Sequence, residues 1–185
     1  MIEPLEIGTR KQLFIDDYVI DETRGVTRNL NQPDKYAGNP VMIPLYPWEG
    51  RITLYGTVWN DAAGEWRMWY QGYGGGAVPS MAKDISDSPW KDFDASNLLY
   101  VIGYATSNNG IHWERPNLQL VDYKGSTDNN LVLSDAAYAN IIKDTRDPDP
   151  NRLYKSLFFE ARDPAGTPNM GDGVSIAFSP DGIRW

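Results

Sequence analysis

The segment Gly103–Trp113, GYATSNNGIHW, returns near the other end of the chain as Ser175–Trp185, SIAFSPDGIRW. Ala, Ser, Gly, Ile and Trp recur in register, and Asn109 stands opposite Asp181. Each copy reads as a strand, then Asn-Gly or Asp-Gly, then a strand that opens on Ile-x-Trp. Those dipeptides supply the positive φ angles that a tight hairpin turn needs. A chain that repeats a supersecondary unit must bury it against its neighbours, so the repeat limits the architecture more than any other feature does.

Upstream of each copy lies a second related pair of segments. Ile52–Trp59 and Trp66–Gln71 read as strands around the turn Asn60–Glu65. Asn140–Lys143 and Leu153–Phe159 read as strands around the Pro-rich turn Asp144–Arg152. Aligning Trp66-Arg67 with Tyr154-Lys155 leaves surplus residues in the first unit, and Gly74–Asn97, rich in Gly, Ser and Asp, takes them up as a long loop. Each unit then holds four antiparallel strands, the make-up of a propeller blade. Seven Trp, eleven Tyr, thirteen Pro and seventeen Gly fit strands and turns better than helices.

The expected fold is therefore all-β: a single partial propeller domain over 1–185. Residues 1–38 form an N-terminal strand or lead-in, 39–120 the first blade with loop 74–97, and 121–185 a second, incomplete blade. A β-sandwich is the alternative, but it leaves the joint recurrence of turn chemistry and Trp unexplained. The second unit reaches Trp185 where its fourth strand should begin, and two blades cannot close a ring. The expectation is a truncated propeller; self-assembly of copies is the other way to cover an open strand edge.

A net charge of −8 disfavours nucleic acid as a partner. The absence of Cys removes disulfides, thiolate catalysis and zinc–thiolate sites. Met1-Ile-Glu-Pro-Leu-Glu6 has neither the basic nor the apolar region of a signal peptide, and no apolar run reaches membrane-spanning length. The default expectation is a cytoplasmic protein without membrane contact. No motif requires a cofactor. Asp144, Asp147 and Asp149 crowd one turn but lack the Gly and closing Glu of a calcium loop. Gly74-Gly-Gly76 lacks the Lys-Ser/Thr of a phosphate loop. The one His, His112, lies beside a hairpin Trp and is expected to face solvent, so a nucleophilic triad is not in view.

Asn39-Pro-Val-Met-Ile-Pro-Leu-Tyr-Pro-Trp-Glu-Gly50, followed by a strand, a turn and a Trp-Tyr strand, resembles the first blade of the five-bladed propeller glycoside hydrolases. This is the arabinanase, xylosidase and invertase group, families 43 and 32 and their relatives. The Ser-x-Asp-Gly-Ile-x-Trp segment is similar to blade signatures of that group, and Leu13–Ile20 resembles the opening of an uncharacterised bacterial branch. The sialidase Asp-box is a second resemblance, although here Asn or Asp directly precedes Gly and leaves the box one residue short.

The first resemblance implies hydrolysis of glycosidic bonds in an oligo- or polysaccharide by paired carboxyl groups. It implies a carboxylate from blade one, a helper Asp from blade two and an acid Glu from blade three, the last expected beyond residue 185. On that pattern Glu49 takes the blade-one position, with Glu-Gly where the family usually has Asp-Pro. Asp135 takes the blade-two position, with Asn140 as a neighbouring polar residue. Trp48 and Tyr46 are candidates for stacking on a sugar face. Arg51 is a candidate anion ligand, or a partner of Glu49. Arg146-Asp-Pro148 and Arg162-Asp-Pro164 match an invertase motif but lie where ordinary turns are expected. A non-catalytic propeller that binds carbohydrate or protein, and a sialidase-like propeller, are the alternatives; the oligomeric state is left open.

Overall fold

The computed structural model describes residues 5–61, 64–74, 98–161 and 173–185. The chain divides into two compact units, 1–37 and 38–185. In the first, residues 5–37, expected as an N-terminal strand or lead-in, form bends and turns without a strand. The reason is visible at Asp16 and Asp17: the Asp16 carboxylate accepts from the Tyr18 amide and the Asp17 carbonyl from the Ile20 amide. Local bonds of this kind compete with a ladder.

The second unit is all-β. Strands β1 (Arg51–Asn60), β2 (Trp66–Gly74), β3 (Leu99–Ser107) and β4 (Leu131–Ser134) form one antiparallel sheet in that order. Strands β5 (Ala136–Lys143), β6 (Tyr154–Glu160) and β7 (Val174–Ser179) form a second. A 3₁₀ turn, Pro150–Arg152, is capped by Asp149. Six of the eight strand segments read from the sequence fall on β1, β2, β3, β5, β6 and β7, with ends shifted by a few residues; the two expected to open at Ile111 and Ile183 are not strands.

The fourth strand of the first sheet is not the segment after the Asn-Gly turn. Ser107 Oγ accepts from the amides of Asn109 and Gly110 (3.2 and 2.9 Å), and Asn109 Oδ1 accepts from those of Ile111 and His112 (both 2.9 Å). The turn thus consumes the donors that a hairpin strand would use, and only a single bridge, Thr106–Glu114, follows. The outer strand is β4, so the first sheet runs past the expected boundary at residue 120. The same side-chain cradle recurs in the second copy: Ser179 Oγ accepts from Asp181 and Gly182 (3.3 and 2.8 Å), Asp181 Oδ1 from Ile183 and Arg184 (both 2.8 Å). The sequence repeat is therefore a repeat of hydrogen bonding.

The two sheets pack face to face. Trp69, Ile102 and Tyr104 of the first meet Ala136, Ala139, Ile141 and Tyr154 of the second, all buried. Alternation along a strand makes this the inward face of sheet one. Its outward face carries Met68, Tyr70 and Ala105, covered in part by Met42, Ile52, Val58 and Trp113. β1 and β5 lie against each other across the gap. Thr57 Oγ1 donates to the Ile141 carbonyl and accepts from its amide (3.0 and 2.9 Å). A β-bulge between Thr53 and Thr57 allows the approach, and Gly56 is part of it: a Cβ there would lie 2.1 Å from the Trp69 carbonyl oxygen.

Candidate functional site

Asp135 is the only residue between β4 and β5, and it sits in the left-handed region at φ 52°. That backbone turns the chain out of one sheet and into the other, and Asp is among the few residues that tolerate it. Three residues on, Tyr138 also has a positive φ, 57°. For a bulky aromatic inside a strand this is strain that surrounding contacts must hold in place. Gln71 supplies that hold. Its side chain is fully buried; Oε1 accepts from the Tyr138 amide (2.8 Å), and Nε2 donates to the carbonyls of Gly72, Val101 and Ala136. β5 bulges between Ala137 and Asn140 at this point, as β1 does beside it. Bulges and strained backbone concentrate where a side chain is being aimed.

Several tyrosines gather at the same end. Arg51 pairs with Tyr73, and Tyr73 with Tyr100, in one row across β1, β2 and β3. Ser134 pairs with Val101, so the chain reaches Asp135 beside the Tyr100 end of that row. The Arg51 guanidinium lies 5.6 Å from the Tyr73 ring centre. Tyr55 and Tyr138 meet edge to face at 4.9 Å, and Tyr138 meets Phe159 at 6.2 Å. Burial pushes the Tyr73 phenol up to about 12 and raises that of Tyr100, so both are neutral donors at neutral pH. Arg51, Tyr100, Asp135 and Tyr138 are half-buried and Tyr55 is exposed. The Ala161 amide donates to the Asp135 carbonyl (2.8 Å), which sets Glu160 beside the same corner; Glu160 accepts a hydrogen bond from Ser175.

Glu49 lies elsewhere, beneath the outward face of sheet one, and is completely buried. Its Oε2 accepts from the Leu45 amide (2.9 Å) and its Oε1 from Arg115 Nε (2.8 Å) and from the Tyr70 hydroxyl. Asn130 extends the network: Nδ2 donates to Tyr70 Oη (2.7 Å), and Oδ1 accepts from the Trp48 indole (3.0 Å). Burial and then the neighbouring Glu49 charge raise the Tyr70 pKa strongly, so its hydroxyl stays a donor. Trp48 is buried against Val101, Tyr123 and Leu131, and Tyr46 stacks on it at 4.7 Å, with the Arg115 guanidinium 5.8 Å from the Tyr46 ring centre. The geometry makes Glu49 an anchor that fixes Arg115, Tyr70 and the 45–49 turn. Of the two rings drawn as sugar-facing, Trp48 is buried and Tyr46 is exposed.

Asn140 is exposed on β5 and donates to the Tyr138 carbonyl (3.1 Å). Asp144 and Asp147 both hold the Lys155 ammonium (2.8 and 2.7 Å), and Lys155 holds the Asp144 carboxyl down at about 2. With Asp149 used as a cap, that turn is an ion-paired bend. His112 is exposed and lines a shallow groove with Glu65, Asn109 and Glu114. Arg162-Asp-Pro164, most of the loop 74–97 and Gly75-Gly76 lie outside the described residues. Among the described residues no cluster of His, Asp and Glu suits a metal ion, and no helix is long and apolar enough to cross a membrane.

The sequence reading missed Tyr55, Tyr73, Tyr100 and Tyr138. The available signal was their position, each on a strand at the end where Arg51 and Asp135 begin or precede β1 and β5. No protein-family model, curated protein or solved structure matches the chain.

Proposed function

We propose that the corner formed by Arg51, Asp135 and the tyrosines at the start of β1 and β5 binds carbohydrate, in a propeller of glycoside hydrolase-like design. One observation carries the reading. A carboxylate and a bulky aromatic, Asp135 and Tyr138, are both held at positive φ at one bulged strand start, with Tyr55 against Tyr138 and Arg51 over Tyr73. Aromatic faces stack on the C–H faces of sugars, while phenols, a carboxylate and a guanidinium serve their hydroxyls. The packing of one antiparallel sheet on another through repeated turns is the support for a propeller rather than an isolated sandwich.

Hydrolysis is the second reading. It needs two carboxyl groups across the scissile bond. Glu49 is sealed by three donors, so the pairing that favours catalysis is Asp135 with Glu160, whose backbones are joined through Ala161. The test is titration calorimetry with arabinan, xylan and fructan oligosaccharides, together with a reducing-sugar assay. Tyr138→Ala is expected to weaken binding at least about tenfold, the loss of one good stacking contact. Asp135→Asn separates the readings: binding kept with hydrolysis abolished marks an enzyme, and no hydrolysis by the parent marks a binding module. Affinity unaltered by both substitutions overturns the site.

A further inference from the structure

The chain holds one Asn-Gly dipeptide, Asn109-Gly110, and it sits in the first copy of the repeated turn. In an open chain such a pair reacts with itself, because Gly has no Cβ to keep its nitrogen from the preceding side chain. The Gly110 nitrogen gives up its proton and bonds to Asn109 Cγ, the Cγ–Nδ2 bond breaks, and the amide leaves as ammonia. Water then opens the resulting succinimide ring to Asp or to isoaspartate, whose extra methylene lies in the backbone. Water is the only co-reactant, and Asn109 is exposed to it.

The turn engages both reacting groups elsewhere. The Gly110 amide donates to Ser107 Oγ (2.9 Å), so the proton that must leave is already committed. The Asn109 carboxamide oxygen accepts from the amides of Ile111 and His112 (both 2.9 Å) and from the Ser107 hydroxyl (3.2 Å). The far side of Gly110 is fixed as well. Its carbonyl accepts from the Trp113 indole (3.1 Å), and the Trp66 ring lies 3.5 Å from where a Cβ would stand. Ser107 itself is only 5% exposed. Cyclisation therefore has to wait for the turn to open.

The second turn shows how the acid is held. Asp181 stands where Asn109 does; its Oδ1 takes the matching amides, those of Ile183 and Arg184, and its Oδ2 accepts from the Arg184 guanidinium. An Asp at position 109 has the same two amides to accept from. Isoaspartate instead lengthens the backbone and moves the amides of 110–112 out of register with Ser107. We propose that Asn109 is a modification site, open to deamidation and kept closed by the Ser107 hydroxyl, and that its isoaspartate product unseats Trp113. Trp113 packs over Met68, Tyr70 and Ala105, so the change is felt on the outward face of sheet one. The proposal stands apart from the carbohydrate reading.

Incubation in mildly alkaline buffer at body temperature, followed by peptide mass spectrometry, measures conversion at Asn109. The folded parent is expected to convert at least about tenfold more slowly than the same chain held unfolded in urea. Ser107→Ala, which removes the acceptor of two amides, is expected to convert about tenfold faster than the folded parent. The isoaspartate fraction, separated by chromatography, is expected to show Trp fluorescence to the red of the Asn109→Asp chain. Equal rates in the folded and unfolded parent overturn the proposal, and so does a Ser107→Ala rate equal to that of the folded parent. If Ser107→Ala does not fold, deuterium exchange of the Gly110 amide in the parent decides: protection supports the closed turn, and exchange at the unfolded-chain rate overturns it. An isoaspartate fraction that matches the Asn109→Asp chain overturns the coupling to Trp113.

Discussion

Replacing Glu49 by Gln separates an anchor from a catalyst. The carboxylate has no exposed surface, and Arg115 beside it is only 7% exposed at its side chain. Three donors converge on two oxygens: the Leu45 amide, the Tyr70 hydroxyl and Arg115 Nε. A Gln amide offers one oxygen and one donor. If its oxygen faces Arg115 and Tyr70, its NH₂ opposes the Leu45 amide; if it turns, the NH₂ opposes Arg115. Either way a buried donor is left without an acceptor, costing about 1–3 kcal/mol. The guanidinium also loses its counter-charge, and breaking a buried pair costs about 3–5 kcal/mol in all when these terms overlap. At about 2–4 °C per kcal/mol for a domain of this size, the melting temperature should fall by about 6–20 °C. Urea unfolding followed by Trp fluorescence reads the same loss. Adding Arg115→Met to Glu49→Gln removes the unpaired guanidinium while the amide oxygen still serves the Leu45 amide, and should recover part of it. A Gln variant within about 0.5 kcal/mol of the parent, the range of an ordinary surface change, would refute the anchoring argument.

Alkaline pH should act through the buried phenols. Tyr70 and, at about 12, Tyr73 and Tyr104 hold their protons above the ordinary value of 10.0, chiefly because burial disfavours the phenolate. The folded state binds more protons in this range, so its stability is intact below pH 10 and declines as pH climbs toward 12. Urea midpoints measured across that range check the decline. Gly182→Ala should cost about 2–3 kcal/mol, since Gly182 has φ 78° and an added Cβ would lie 2.8 Å from the Trp69 ring; thermal melting tests it. Asp181→Ala should cost about 1–2 kcal/mol by freeing the amides of Ile183 and Arg184. Backbone hydrogen bonds hold the Asp181 pKa down although burial opposes them, so its contribution is present above the usual carboxylate range and fades as acid titrates it. A flat acid limb of stability in the Ala variant relative to the parent checks the sign.

Strand identity was legible wherever alternation and turn residues agreed, as at Trp66–Gln71 and Leu153–Phe159. It failed after Asn109-Gly110, where Ser107 and Asn109 take the amides that a returning strand would need. Alternation says nothing about such side-chain competition. Leu131-Val-Leu133 is a short buried run, and such a run carries no period to reveal it as the outer strand of sheet one. Glu49 drew attention for its place before β1, yet its burial depends on Arg115 and Asn130, distant residues that no local pattern links to it. The tyrosine corner was opaque for a different reason. Tyr55, Tyr73, Tyr100 and Tyr138 look like ordinary strand aromatics until the register brings them to one end and the backbone of Tyr138 shows strain.

The single-residue link at Asp135 has a consequence for how the protein is made. Strands β1 to β4 form a four-stranded sheet with no contribution from the second sheet to its ladder. As the chain leaves the ribosome, that sheet can pair before Ala136 emerges, and domains are generally built in this N-to-C order. Until β5 arrives, Trp69, Ile102 and Tyr104 stay wet, and a link of one residue leaves the incoming strand little freedom to search. Asp135 therefore delivers β5 directly onto the exposed aromatic face, shortening the interval in which a nascent chain presents it to chaperones or to its neighbours on a polysome.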